Sequence, residues 1–173
     1  MPDILFFRSN PGSNPELATT RTPVEVWVPQ LSQTRPEGMQ RFPYAVWWLF
    51  HYVGVFRNDQ YRIFLVREGR AVVHRSCVFP PFFRFPFMAP GDVQVGDVWT
   101  LEARRGRGLS SAALKHIVAS YADRSVWFLC EEGNQASAAL ARSAGMQLVG
   151  IGAREPRFGL GMLGQFVLRA SAK

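Results

Sequence analysis

Cysteine is scarce in this chain of 173 residues, which has only Cys77 and Cys130. Each lies in a run that reads as strand, Val-Val-His-Arg-Ser-Cys-Val and Val-Trp-Phe-Leu-Cys. Thiols so placed are expected free and buried in a reducing, cytoplasmic setting, which excludes a disulfide-stapled secreted scaffold. Histidine is also sparse. His51, His74 and His116 are scattered and match no metal-ligand spacing, so no metal is implied. The longest apolar segment, Phe42 to Phe56, falls short of the ~20 residues that cross a bilayer, and no membrane span is expected. Met-Pro-Asp-Ile-Leu-Phe-Phe-Arg places an acid ahead of a short apolar run, unlike a secretory signal. Internal repeats and low-complexity tracts are missing as well. The formal charge of +7 favours an anionic partner, but no unbroken run of basic residues points to nucleic acid.

What is present is a globular composition, 47% apolar and 19% charged, at a length suited to one buried domain. The most informative stretch is Thr100 to Leu114, where a strand end, a turn rich in glycine and arginine, and a helix start follow one another. Glycine lets backbone approach an anion closely, and a helix start offers unpaired N–H groups at the positive end of a macrodipole. Arg104, Arg105 and Arg107 add charge. A bare exposed turn explains the glycines but leaves those arginines repelling one another, so the pattern points to a phosphate cradle.

Along the chain, Asp3–Arg8 reads as a short strand, and Ser9 to Pro15 is dense in turn formers. Val24–Val28 alternates as a strand does. Phe42–Phe56 reads as a helix whose aromatics cover too much of its circumference for a solvated surface, which predicts a helix clamped between other elements or covering a ligand. Tyr61–Arg67 and Ala71–Val78 form a hairpin around Glu68-Gly69-Arg70. The prolines of Phe79–Pro90 exclude a central strand there. Its aromatics then cover the core, meet a second subunit in a homodimer, or wall a substrate pocket. Strands at Gln94–Leu101 and Val126–Cys130, helices at Ser110–Ala122 and Asn134–Ser143, and strands at Met146–Ala153 and Gln165–Ala170 joined by a glycine-rich link complete the reading.

Two motifs in this order resemble the GNAT superfamily of acyl-CoA-dependent N-acyltransferases. The family's pyrophosphate loop, R/Q-x-x-G-x-G/A, is similar to Arg105-Gly106-Arg107-Gly108-Leu109-Ser110, with serine at the last place. A downstream N-x-x-A/S-x-x-L-Y-x-K-x-G-F pattern is matched in spacing by Asn134, Ser137, Leu140, Gly145 and Met146. Ala141 stands where many members carry a tyrosine that protonates the leaving thiolate. The resemblance is specific over about 92–154 and implies an α/β (α+β) fold with a mixed, mostly antiparallel sheet of six to seven strands flanked by helices. It implies a single domain over 1–173, with an acceptor-side half (1–90) and an acyl-CoA-binding half (91–173). The cofactor implied is acetyl-CoA, or another acyl-CoA, as co-substrate. Its contacts would come from Val98, Trp99 and Thr100 on the strand, from Arg104, Arg105, Gly106, Arg107, Gly108, Leu109, Ser110 and Ser111 in the turn, and from Asn134 and Ser137. One strand N–H would stabilise the oxyanion of the tetrahedral intermediate.

The acceptor side is less legible. A small-molecule primary amine must lose a proton before it attacks. His74, in a strand beside the acceptor region, and Glu131, at a strand end, are the candidate catalytic bases; each is otherwise an ordinary strand residue. Gln94 occupies a position from which some members project a glutamate. Arg75 and Arg84, flanking the aromatic loop, suit an acidic acceptor such as a nucleotide-linked amino sugar. Asp97, inside an apolar strand, needs a partner. The competing expectation is a non-catalytic acyl-CoA-binding or protein-interaction module of the same fold, motivated by Ala141.

Overall fold

A computed structural model describes residues 2–13, 22–157 and 160–171. The elements run β1 (Ile4–Ser9), β2 (Glu25–Trp27), α1 (Tyr44–Tyr52), β3 (Arg62–Glu68), β4 (Ala71–Phe79), β5 (Val93–Thr100), a 3-10 turn (Glu102–Arg104), α2 (Leu109–Ser120), β6 (Val126–Glu131), α3 (Gln135–Ser143), β7 (Gln147–Arg157) and β8 (Leu160–Ser171). The strands form one sheet in the order β2-β3-β4-β5-β6-β1-β7-β8, in which only β5 and β6 are parallel neighbours. The mixed, mostly antiparallel architecture agrees with the sequence reading, but the sheet has eight strands rather than six to seven. The reason is β1. It enters the middle of the sheet, pairing with β6 on one side and β7 on the other.

That placement follows from its composition. Ile4, Leu5, Phe6 and Phe7 leave no polar face, so the strand is stable only when both faces are covered. Leu5 and Phe7 join the core beneath α2 and α3, with Val93, Val95, Leu114, Ile117 and Phe128. Ile4 and Phe6 join the opposite core with Ile63, Leu65, Phe79 and Trp127.

The second core is the aromatic one. Pro80–Pro90 folds under α1, where Phe82, Phe85 and Met88 are buried. Phe82 packs edge-on against Phe85 (centroids 5.0 Å apart), and Trp47 of α1 packs edge-on against Phe79 (4.6 Å). The Trp127 indole N–H donates to Asp92 at 2.9 Å and fixes the end of this loop. The loop therefore covers the core, as one of its readings holds. Helix α1 differs from its expectation: it is shorter than Phe42–Phe56, and of its residues only Tyr44 is buried, while Leu49 and Tyr52 face solvent. It covers the sheet on one flank and is not clamped on both.

The last two strands are longer than expected. The glycine-rich link is mostly strand, because β7 runs on to Arg157 and β8 begins at Leu160; residues 158–159 lie outside the described residues, as do Asn14 and Pro15 of the first turn-forming run. Both cysteines are free and buried. Among the described residues, no helix is long and apolar enough to cross a membrane.

Gly152 marks a close approach of β1 and β8 side by side with β7. A Cβ there would strike the Val167 carbonyl and come within 2.7 Å of the Phe6 ring. Gly152→Ala is expected to destabilise the protein by on the order of 3 kcal/mol through overpacking. An unchanged urea midpoint would contradict this packing.

Candidate active site

The site begins where β5 and β6 part. They pair only from Val93↔Val126 to Val95↔Phe128, although β5 continues to Thr100 and β6 to Glu131. The pairing of β5 with β4 also slips. Cys77 lies opposite Gly96 and Arg75 opposite Trp99, so Asp97 and Val98 together face Ser76. This is a bulge, and Asp97 in it has φ +48°, a left-handed conformation that a non-glycine residue adopts only when its surroundings enforce it. The enforcement is visible. The Asp97 carboxylate accepts hydrogen bonds from the Tyr44 hydroxyl (2.6 Å) and from Arg75 Nε (2.9 Å) and Nη2 (3.2 Å), with the Cys77 thiol at 3.6 Å. The Arg75 guanidinium lies 4.9 Å from the Trp99 ring centroid. Burial, followed by the hydrogen bond to Asp97, pushes the Tyr44 hydroxyl pKa far up, so it remains a donor.

Past the bulge, the Leu101 N–H donates to Val73 of β4 at 2.9 Å. Because alternate residues of a strand point their main-chain groups the same way, Trp99 faces β4 as well, and Val98 and Thr100 turn their N–H and C=O into the split. A cavity of about 640 Å³ opens there on the helix side. Val98, Trp99, Thr100, Arg104, Arg105, Gly106, Gly108, Leu109, Ser110, Ser111 and Ser137 all line it. Arg107 and Asn134 do not. Asn134 instead caps α3, its side-chain oxygen accepting from the Ser137 N–H at 3.0 Å.

Gly106 (φ +75°) and Gly108 (φ +74°) both adopt the left-handed conformation, and Gly108 caps α2. The first-turn N–H groups of α2 then have no partner within the helix, and they open onto the cavity. Arg104 lines the cavity but is already paired. Its guanidinium grips both oxygens of Glu68 at 2.7–2.9 Å, which ties the turn to the β3–β4 hairpin. Arg105 reaches the Thr100 carbonyl at 3.4 Å. A hydrogen-bonded chain lies beneath the cradle: His74 Nδ1 is 2.8 Å from Thr100 Oγ1, Thr100 Oγ1 is 2.9 Å from Ser110 Oγ, and His74 Nε2 is 3.0 Å from Ser76 Oγ. The serine that departs from the loop motif is thus wired to a fully buried histidine. Burial, then the Arg75 charge, lowers the His74 pKa to about 4.

Sequence reasoning missed the α3 wall. Ala136, Ala139, Leu140 and Ser143 line the cavity, and Ser143 Oγ meets Ser111 Oγ at 3.2 Å. Their spacing marks one helical face and was the available signal. Ala141 lies on the other face and is 0% exposed, packed in the core away from this cavity.

A second cavity, of about 400 Å³, lies on the α1 side of the sheet. Gln94, Leu129, Cys130 and Glu131 line it from the diverging strands, Phe85 from the aromatic loop, and Arg154 and Phe166 from the terminal hairpin. Of the expected catalytic and acceptor residues, this brings together Gln94 and Glu131. Arg75 is engaged by Asp97, and His74 lines neither cavity.

A sheet with one parallel pair that splays, and a glycine-arginine turn ahead of a helix at the splay, make a mixed α/β fold with an anion-suited cleft at its parallel pair. A sequence profile of the acetyltransferase (GNAT) family matches residues 24–146. No curated protein matches the chain. Among solved structures, a GNAT-family protein of Novosphingobium aromaticivorans DSM 12444 is 14% identical, with a TM-score of 0.56 over 87% of this chain and 61% of that one. An acetyltransferase from the GNAT family of Colwellia psychrerythraea is 13% identical, with 0.53 over 86% and 53%. A tandem GNAT protein from the clavulanic acid biosynthesis pathway is 14% identical, with 0.55 over 86% and 50%. At such identities the likeness is one of fold, and the chain spans between 50% and 61% of the length of these three structures. The family match covers most of the chain: this protein belongs to the acetyltransferase (GNAT) family.

The buried His74 supplies a pH test. Its pKa in the fold is about 4, against 6.5 for the free side chain, so the unfolded state binds the proton first. Stability is complete above pH 6.5 and falls as pH drops from 6.5 toward 4, by up to about 3 kcal/mol. Urea midpoints measured across that window should fall in the parent protein and flatten in His74→Gln.

Proposed function

We propose that the protein is an N-acetyltransferase that moves an acetyl group from acetyl-CoA to the primary amine of a small molecule, by direct attack in a ternary complex. The observation that carries this reading is the split between β5 and β6, which has a cavity on each face of the sheet: one built around the glycine turn, the other around Glu131. The chain then divides into an acceptor-side half (1–90) and an acyl-CoA-binding half (91–173), with β6 and the terminal hairpin contributing to both.

The residues present fit the co-substrate. The left-handed glycines have open space around them, so a pyrophosphate can approach the α2 N-terminus, where Arg105 and Arg107 add charge and Ser110 and Ser111 add hydroxyl donors. Asn134 acts by capping α3, and Ser137 and the small residues beside it leave room for the pantetheine arm. Acetyl-CoA supplies the activated acyl carbon. The Val98 N–H, held outward by the bulge, donates to the developing oxyanion, as preorganised main-chain donors do. Glu131 takes the proton from the amine: the C–N bond forms, the C–S bond breaks, and the thiolate leaves. A thiol pKa near 8.5 lets it depart as the anion, which suits a chain with alanine at the tyrosine position. His74, neutral and bonded on both nitrogens, positions Thr100 and Ser110 and does not act as the base. With Arg75 committed to Asp97, an extended diphosphate acceptor loses one of its two arginines, and a compact amine fits better.

A second reading, a non-catalytic acyl-CoA-binding module, draws on the burial of Ala141 away from the cavity. Thiol release from acetyl-CoA across a panel of amines separates the two. Turnover supports the transferase, whereas acetyl-CoA affinity with no turnover supports the module. Arg105→Glu is expected to weaken acetyl-CoA binding by about a hundredfold or more without lowering the melting temperature. Glu131→Gln should reduce kcat by about 10²–10⁴ with the KM for acetyl-CoA unchanged.

A further inference from the structure

The cavity on the α1 side carries side chains of both charges between apolar walls. Phe85, Phe166 and Leu129 give it apolar walls, while its polar groups are the Gln94 amide, the Glu131 carboxylate and the Arg154 guanidinium. Arg84 stands close to Arg154: its pKa is lowered first by burial and then by the Arg154 charge. The two are held near each other by main chain, because the Phe166 N–H donates to the Arg84 carbonyl at 2.8 Å and Phe166 pairs with Arg154 across the β7–β8 hairpin. Neighbouring guanidinia raise the local positive potential, and their planar donor forks match a carboxylate or a phosphate. Glu131 is an anion suited to an ammonium group, and Gln94, 6% exposed, presents a neutral amide whose nitrogen already donates to the Val95 carbonyl at 2.6 Å. A volume of about 400 Å³ suits a compact ligand.

Resting on the acyl-transfer reading above, we propose that the acceptor is an amine that also carries an acidic group on an apolar body, its acid held by Arg154 and reinforced by Arg84, its amine directed to Glu131. Carboxylate and phosphate share the required chemistry, and the chain's own residues provide a cationic and an anionic group within one cavity. The inference adds Arg154 to the site and assigns Arg84 a role in setting its potential.

The test uses matched probes: apolar α-amino acids, their amides, and the corresponding 1-aminoalkylphosphonates, each assayed for thiol release from acetyl-CoA. Acids should exceed their amides in kcat/KM by about tenfold or more, the factor that one charge-assisted hydrogen bond supplies. The better of the carboxylate and phosphonate series identifies the acid. Arg154→Gln should erase the preference by raising KM for the acids while the KM for acetyl-CoA holds. Amides as good as acids in every pair, or a preference that survives in Arg154→Gln, overturns the proposal. Should no amine of any series release thiol, calorimetry with the N-acetylated acids and their amides decides. Binding of the acids alone, lost in Arg154→Gln, keeps the anion pocket and removes the transfer reading. Equal or absent binding removes the pocket.

Discussion

The carboxylate of Asp97 is the constraint on which the site depends. Held by Tyr44 from α1 and by Arg75 from β4, it keeps a left-handed residue in the middle of β5 and so sustains the bulge at the point where β5 leaves β6. A strand that stayed in register would close the split, satisfy the main-chain groups of Val98 and Thr100, and remove the passage between the two faces. The arrangement is polar and partly buried, and it is fully hydrogen-bonded, which is the condition under which such a network holds one conformation rather than several. Trp99, under the Arg75 guanidinium, carries the same restraint one residue further.

The two sides of the split differ in kind. On the helix side the cavity is shaped mainly by backbone: glycine φ angles, the start of α2, and small residues on α3. On the α1 side it is shaped by side chains, with aromatic walls and groups of both charges. The His74–Thr100–Ser110 chain belongs to the first side. Buried and neutral, it fixes the orientation of a hydroxyl at the helix start.

This difference explains what the sequence made legible. The cradle was readable because its requirements are local: glycines at fixed spacing, a helix start, and a strand before it. The strands and helices were found nearly in place for the same reason. The place of β1 was not readable, because alternation and composition say that a strand is buried on both faces without saying between which neighbours. The length of α1 was overestimated from aromatics that turn out to face solvent on one flank. Arg154 lies past Ala153, where the sequence pattern ends the strand, and Ser143 matches no position of the downstream motif. Arg75 reads from the sequence as a contact for an acidic acceptor; only the fold brings Asp97 to it. The aromatic loop allowed several readings, and Phe85 belongs to two of them, since it closes the core and walls a cavity at once.

The position of β1 has a consequence for how the protein comes to be. Ile4 lies opposite Glu131 and Gly152, so the first described strand is sandwiched between two that are made much later. Until β6 and β7 exist, its four consecutive apolar residues have no lasting cover, and until β1 inserts, β6 lacks a partner on its outer side. Contacts of such sequence separation slow the search for the native sheet. The cavity lined by Glu131 is therefore finished only when the two ends of the described chain meet.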